Sequence, residues 1–173
     1  MLFRSDYSEL CLRPEESQLD LKSNRAQVVI GVRRCGKSTL CEMFLKQKGI
    51  DFAYVNFDDD RMEDMKASDL DHLLEALYMT YGEFKYLFLD EIQNIEGWPL
   101  FVNRLLRQKM HLFITGSNSK LLSKELSTHL TGRNNKVELY PFSYSEYCAM
   151  KNIDTTSLST KAKGIRKRDR KSV

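Results

Sequence analysis

Five short runs of apolar, β-branched and aromatic residues, each followed by a stretch long enough for a helix, set the strongest limit on how this chain can fold. They lie at 27–32, 52–57, 85–89, 111–115 and 136–139. Runs such as Val28-Val29-Ile30 and Tyr86-Leu87-Phe88-Leu89 lack the alternation of a half-solvated sheet and suit strands buried on both faces. Helical spacing fills the gaps. Leu40, Phe44 and Leu45 share one side over 37–48, and Leu70, Leu73, Leu74 and Leu77 do so over 68–79. Phe101, Val102, Leu105 and Leu106 repeat the pattern over 98–109, where Pro99 suits a first turn, and Leu121, Leu122, Leu126 and Leu130 repeat it over 117–130. Strand and helix in alternation predict βαβ units, hence an α/β fold with a three-layer αβα arrangement around a five-stranded, mainly parallel sheet.

At 173 residues the chain has room for one such domain and a short appendage, and enough buried surface to fold without disulfides or a structural metal. Its formal charge of +3 would suggest an acidic partner. The distribution argues otherwise. The thirteen residues 161–173 hold seven Lys or Arg against the single Asp169, a local +6, which leaves −3 for everything before them. No apolar run approaches the roughly 18 residues of a membrane helix, and residues 1–6 turn polar too soon for a secretion signal. A cytoplasmic protein without a membrane partner is expected. Cys11, Cys35, Cys41 and Cys148 have neither the C-x-x-C pairing nor the spacing of a zinc site, and read as reduced thiols. Residues 1–24 form a mixed, polar lead-in interrupted by Pro14, residues 25–150 the domain, and residues 151–173 a basic tail too poor in apolar groups to offset its ordering entropy.

Chemistry concentrates at Gly31-Val32-Arg33-Arg34-Cys35-Gly36-Lys37-Ser38-Thr39, which satisfies G-x-x-x-x-G-K-[ST] between an apolar strand and an amphipathic helix. Each fixed position has a physical task. Gly31 and Gly36 let the backbone turn and come close to phosphate, so that successive N–H groups and the helix N-terminus face anionic oxygens. Lys37 would reach the β- and γ-phosphates, and the Ser38 hydroxyl would coordinate Mg²⁺. Arg33, Arg34, Cys35 and Thr39 complete the candidate ATP-binding loop. For the two arginines, reinforcement of the phosphate site and simple solvation are equally open. Cys35 at a helix N-terminus could have a lowered thiol pKa, although a small filler residue is the plainer reading.

The run ending in Asp90-Glu91 has the form of a Walker B strand, in which Asp90 holds Mg²⁺ and Glu91 orients and polarises the attacking water. A carboxylate beside the metal-binding Asp suits hydrolysis better than transfer to a substrate hydroxyl, so an ATPase is favoured over a kinase. The strand after it ends in Thr115-Gly116-Ser117-Asn118, and ligands bind beyond the carboxyl ends of parallel strands. Thr115, Ser117 or Asn118 could therefore contact the γ-phosphate or the water; the equally open alternative is that Ser117 to Ser119 merely cap the following helix.

In this order, GVRRCGKST, FLDEIQNIEGW, FITGSNSKLLSKELSTHLTGR and VELYPFSYSEY resemble a family of prokaryotic AAA+-type P-loop ATPases over residues 25–148. The resemblance implies a P-loop NTPase core of the additional-strand kind, with the Walker B strand separated from the P-loop strand. It also implies the roles given above to Lys37, Ser38, Asp90 and Glu91, with ATP and Mg²⁺ as ligands. It draws attention to Arg133, which in such ATPases often completes a neighbouring copy's site within a homo-oligomer; an ordinary surface arginine is the alternative. The family's core normally continues into a larger C-terminal domain, whereas this chain turns Lys/Arg/Ser-rich after Met150, so a lid and second domain are expected to be absent. Two rival readings follow from that difference. One is a nucleotide-binding switch or scaffold with little turnover; the other is nucleic-acid binding through the tail, which has charge but no aromatic residue for stacking. Asp58-Asp59-Asp60 reads as a solvated turn, and His72, His111 and His129 lack the mutual spacing of a metal site.

Overall fold

A computed structural model describes residues 13–117 and 128–153. The chain divides into two compact units, of which the larger runs from Arg13 to Pro141 and the other includes Phe142 to Ile153. The larger unit contains β1 (Ala26–Gly31), α1 (Lys37–Gln47), β2 (Phe52–Asn56), α2 (Leu70–Tyr81), β3 (Tyr86–Asp90), α3 (Trp98–Arg107), β4 (His111–Ser117) and β5 (Asn134–Glu138). In the smaller unit α4 (Tyr144–Met150) starts at Ser143, whose hydroxyl accepts from the Glu146 N–H while the Glu146 carboxylate caps the Ser143 N–H in return.

All four strand pairings are parallel, in the order β2-β3-β4-β1-β5. The three interior strands explain the continuous apolar runs. Val28 and Ile30 of β1 face one side of the sheet with Leu87, Leu89, Leu112 and Ile114, where α2 and α3 bring Leu77, Val102 and Leu105. Val29, Phe88 and Phe113 face the other side, against Leu40, Cys41, Phe44 and Leu45 of α1. Both sides of the same strand are thus dry, so the runs are apolar, and the buried polar exceptions Gln27, Asp90 and Thr115 are each hydrogen-bonded. The edge strands behave differently. In β2 the exposed Tyr54 lies between buried Ala53 and Val55, and in β5 only Val137 is buried.

The expected αβα architecture and five-stranded sheet are present, and the sheet is wholly rather than mainly parallel. Strand β5 begins two residues before the expected 136, because Ala26 at the start of β1 pairs with Asn134. Strand β4 runs on to Ser117, so the helix expected over 117–130 cannot begin there. Most of that helix, Asn118 within it, and the tail at 154–173 lie outside the described residues, as do the first twelve positions of the lead-in. Among the described residues, no helix is long and apolar enough to cross a membrane.

Chain order and sheet order place the site. The path leaves β1 through α1 to the far edge strand β2, then returns through β3 and β4 until β4 lies against β1. With all strands parallel, the carboxyl ends of β1, β3 and β4 lie at one rim, where an open α/β sheet receives its ligand.

Candidate functional site

Two glycines shape the loop after β1 for different reasons. Gly31 tolerates no side chain because a Cβ there would meet the Leu139 carbonyl oxygen at 2.1 Å, in the segment that donates the Leu139 N–H to the Ile30 oxygen at 2.7 Å. Gly36 has open space around it but a φ of 94°, which L side chains rarely adopt. Arg34 also turns through positive φ, at 67°. The result is a helix α1 whose N-cap supplies no side-chain hydrogen bond, so its first N–H groups face the rim without a capping side chain.

Beyond this loop lies a cleft of about 520 Å³, a size within the usual range for small-molecule sites. Lys37 enters it with only 4% of its side chain exposed, its Nζ 3.3 Å from the Val32 carbonyl oxygen and 3.2 Å from Glu91 Oε1. The Ser38 hydroxyl donates to Asp90 Oδ1 at 2.8 Å, and the Tyr54 phenol donates to Asp90 Oδ2 at 3.1 Å. Thr115 donates to Asp90 Oδ1 as well and accepts the Glu91 N–H at 3.0 Å. Gln93 Nε2 donates to Glu91 Oε2 at 2.5 Å.

These partners set the electrostatics. Burial pushes the Asp90 carboxyl above its ordinary pKa, while the hydrogen bonds from Thr115, Ser38 and Tyr54 pull it back and the neighbouring Glu91 charge adds to the rise. Although the residue as a whole is exposed, the Tyr54 phenol is raised by desolvation where it meets Asp90 and by the Asp90 charge. The carboxylate is therefore desolvated, multiply held and not fully neutralised, which is the condition a divalent cation relieves. The donor set also fits magnesium. Ser38 and Asp90 present two oxygens 2.8 Å apart, close to the roughly 2.9 Å between adjacent ligands of an octahedron with 2.0–2.1 Å bonds.

The structure brings Gly36, Lys37, Ser38, Thr39, Asp90, Glu91 and Ser117 to one cleft. Arg33 and Arg34 line it too; Arg33 is exposed and pairs with Asp58 at 3.2 Å across its mouth. Asp58 is thus an ion-pair partner as well as a turn residue. One expectation is corrected. Thr115 cannot contact a ligand, because its side chain is wholly buried and its hydroxyl is committed to Asp90 and the Glu91 N–H. Cys35 follows the plainer of its two readings: its side chain packs in the core beneath the loop, and burial raises its pKa despite the Lys37 charge. Cys35, Cys41 and Cys148 are free thiols, all buried. Arg133 is exposed and stands apart from the cleft, at the amino end of β5, with its guanidinium on Asn103 Oδ1 at 3.0 Å.

Sequence reasoning missed Tyr54 and Gln93. Register could have found Tyr54, since it pairs with Phe88 in a parallel ladder and so shares a face with Asp90, but that requires knowing that β2 neighbours β3. Gln93 is two residues past Glu91, within the short 3₁₀ turn Ile92–Asn94, and such a turn leaves no periodic signal.

A glycine loop on an interior parallel strand, with an acidic pair on the second strand over, defines a P-loop module of the nucleotide-binding kind. The chain belongs to the AAA domain family, whose model matches residues 23–148, and is an ATPase-like nucleotide-binding module of that family. Among similar proteins, an uncharacterized protein of Methanocaldococcus jannaschii is 41% identical over 138 residues, covering 79% of this chain and 31% of its own length. An uncharacterized protein of Haemophilus influenzae is 39% identical over 139 residues, covering 76% of this chain and 35% of its own. This chain thus spans about a third of the length of each.

Proposed function

We propose that this chain binds ATP with Mg²⁺ and hydrolyses it. The observation that carries the reading is the pairing of Lys37 with Glu91 at 3.2 Å in the same cleft as Ser38 and Asp90. Lys37 is the cation suited to the β- and γ-phosphates, and bound nucleotide would draw it from Glu91. The freed carboxylate can then accept a proton from water. Ser38 and Asp90 would hold the metal, which would supply charge neutralisation to the transferring phosphoryl group. Ser117 at the end of β4 lines the same cleft and is assigned to the terminal phosphate, and Arg33, on leaving Asp58, and Arg34 would turn towards phosphate from its mouth. Arg133 acts on a neighbouring copy's site.

Titration with a fluorescent ATP analogue and measurement of phosphate release test this reading together. Lys37→Ala should weaken binding and abolish release. Glu91→Gln should retain binding within a fewfold and lose about 10²- to 10⁴-fold in turnover, the usual contribution of a general base. Binding without release from the unmodified chain would favour the switch reading, and absence of binding would overturn both.

A further inference from the structure

We infer that Gln93 is a positioning residue for hydrolysis, the group that fixes the Glu91 carboxylate once nucleotide has drawn Lys37 away. The inference rests on the hydrolytic reading and extends it. In the nucleotide-free cleft the two oxygens of Glu91 are divided between two partners, Oε1 on Lys37 Nζ and Oε2 on Gln93 Nε2. Only one of these partners has a second task. The lysine belongs to the phosphates, so its bond to Glu91 is lost when they arrive; the carboxamide, which also lines the cleft, carries no charge to draw it to phosphate and keeps its bond.

The orientation of that carboxamide is dictated by Glu91. Gln93 Oε1 is buried and has no hydrogen-bond partner among the described residues, an arrangement that costs stability. Turning the amide over would not remove the cost, because it would set Oε1 against the carboxylate. The side chain therefore accepts an unpaired oxygen in order to donate to Glu91. Unpaired buried groups of this kind are rare and call for an explanation. The backbone restrains the same pair: Glu91 sits at a φ of 52° with its N–H on Thr115, and the next residue, Ile92, is fully buried at the start of the turn that carries Gln93. Carboxylate and carboxamide thus share one short, anchored turn.

In the step this serves, the water oxygen bonds to the γ-phosphorus as the bond to the β–γ bridging oxygen breaks. The water's proton passes to Glu91, and ADP and phosphate leave. A carboxylate displaced by about 1 Å from the water can lose 10²-fold in rate, so the tether matters although it touches no reacting atom.

Gln93→Met keeps the length of the side chain and removes both donor and acceptor; Gln93→Ala removes its bulk as well. Both should lower kcat about 10²-fold with the Kd for the ATP analogue within about twofold of the parent, and Gln93→Met, which also removes the unpaired oxygen, should melt no lower than the parent. A second readout needs no turnover. The Gln93 side-chain amide signal in the NMR spectrum of the nucleotide-free protein, assigned by its loss in Gln93→Met, should lie downfield and move upfield in Glu91→Ala. An unchanged or raised kcat in Gln93→Met, or an amide signal indifferent to Glu91→Ala, overturns the inference while leaving hydrolysis intact. No release from the parent protein overturns the hydrolytic reading and this inference with it.

Discussion

At the scale of single residues, the site is assembled at the expense of the fold. Asp90 is buried and its carboxyl sits above its ordinary value of 3.8 because desolvation outweighs the hydrogen bonds it accepts. The folded state therefore binds this proton more tightly than the unfolded chain does. The stabilisation from protonation is full below 3.8 and is lost as pH rises through the folded-state value, after which the ionised group is a burden. Asp90→Asn removes the titration while keeping the shape. In metal-free buffer the melting temperature of the variant relative to the parent should climb as pH rises across that window and then level off. Added Mg²⁺ should raise the melting temperature of the parent and not that of the variant. A difference that stays flat with pH would show that Asp90 carries no such penalty.

Among the elements, β1 and the loop that follows it hold the site to the sheet, and the two glycines can be separated by experiment. Gly31→Ala drives a methyl group into the Leu139 carbonyl, a backbone atom that cannot swing aside, and should cost about 2–3 kcal/mol or more in urea unfolding. Gly36→Ala meets no neighbour and pays only for its positive φ, about 1–2 kcal/mol, yet it should weaken nucleotide binding more, because the strain falls where the backbone faces phosphate. Equal losses of stability and binding in the two variants would contradict this division. The same elements show what could be read in advance. Strands β1, β3 and β4 were legible because burial on both faces leaves continuous apolar runs, and the loop because phosphate chemistry fixes its residue types. That Thr115, one of three candidates for a ligand contact, turns instead to Asp90 was not legible, because its position at a strand end is visible in sequence but the partner beside it depends on which strand is its neighbour. For Cys35 the plainer reading, a small filler, is the one the structure supports, but the depth of its burial was not legible, because the core around the thiol includes Leu19, Val29 and Leu139, which the loop itself does not show.

For the molecule as a whole, the question is whether one copy suffices. Arg133 precedes β5, and its carbonyl accepts the Ala26 N–H at 2.9 Å, which places it beside the first residue of β1. The loop that faces phosphate follows the last residue of that six-residue strand, about 16 Å away along the sheet at 3.3 Å per residue. An arginine side chain cannot cover that distance to its own cleft. If Arg133 takes part in hydrolysis, it must do so in another copy, where the charge it brings to the transferring phosphoryl group is worth about 10³- to 10⁵-fold in rate. Arg133→Ala should then lose phosphate release and keep ATP binding near the parent's. Lys37→Ala should be inactive through its own cleft while still presenting an intact Arg133. Mixing the two inactive proteins pairs a competent cleft with a competent arginine across some of the contacts, so release should return in the mixture and rise with total protein concentration. A mixture as inactive as its components, or an Arg133→Ala variant that turns over normally, would leave Arg133 as a surface residue bound to Asn103.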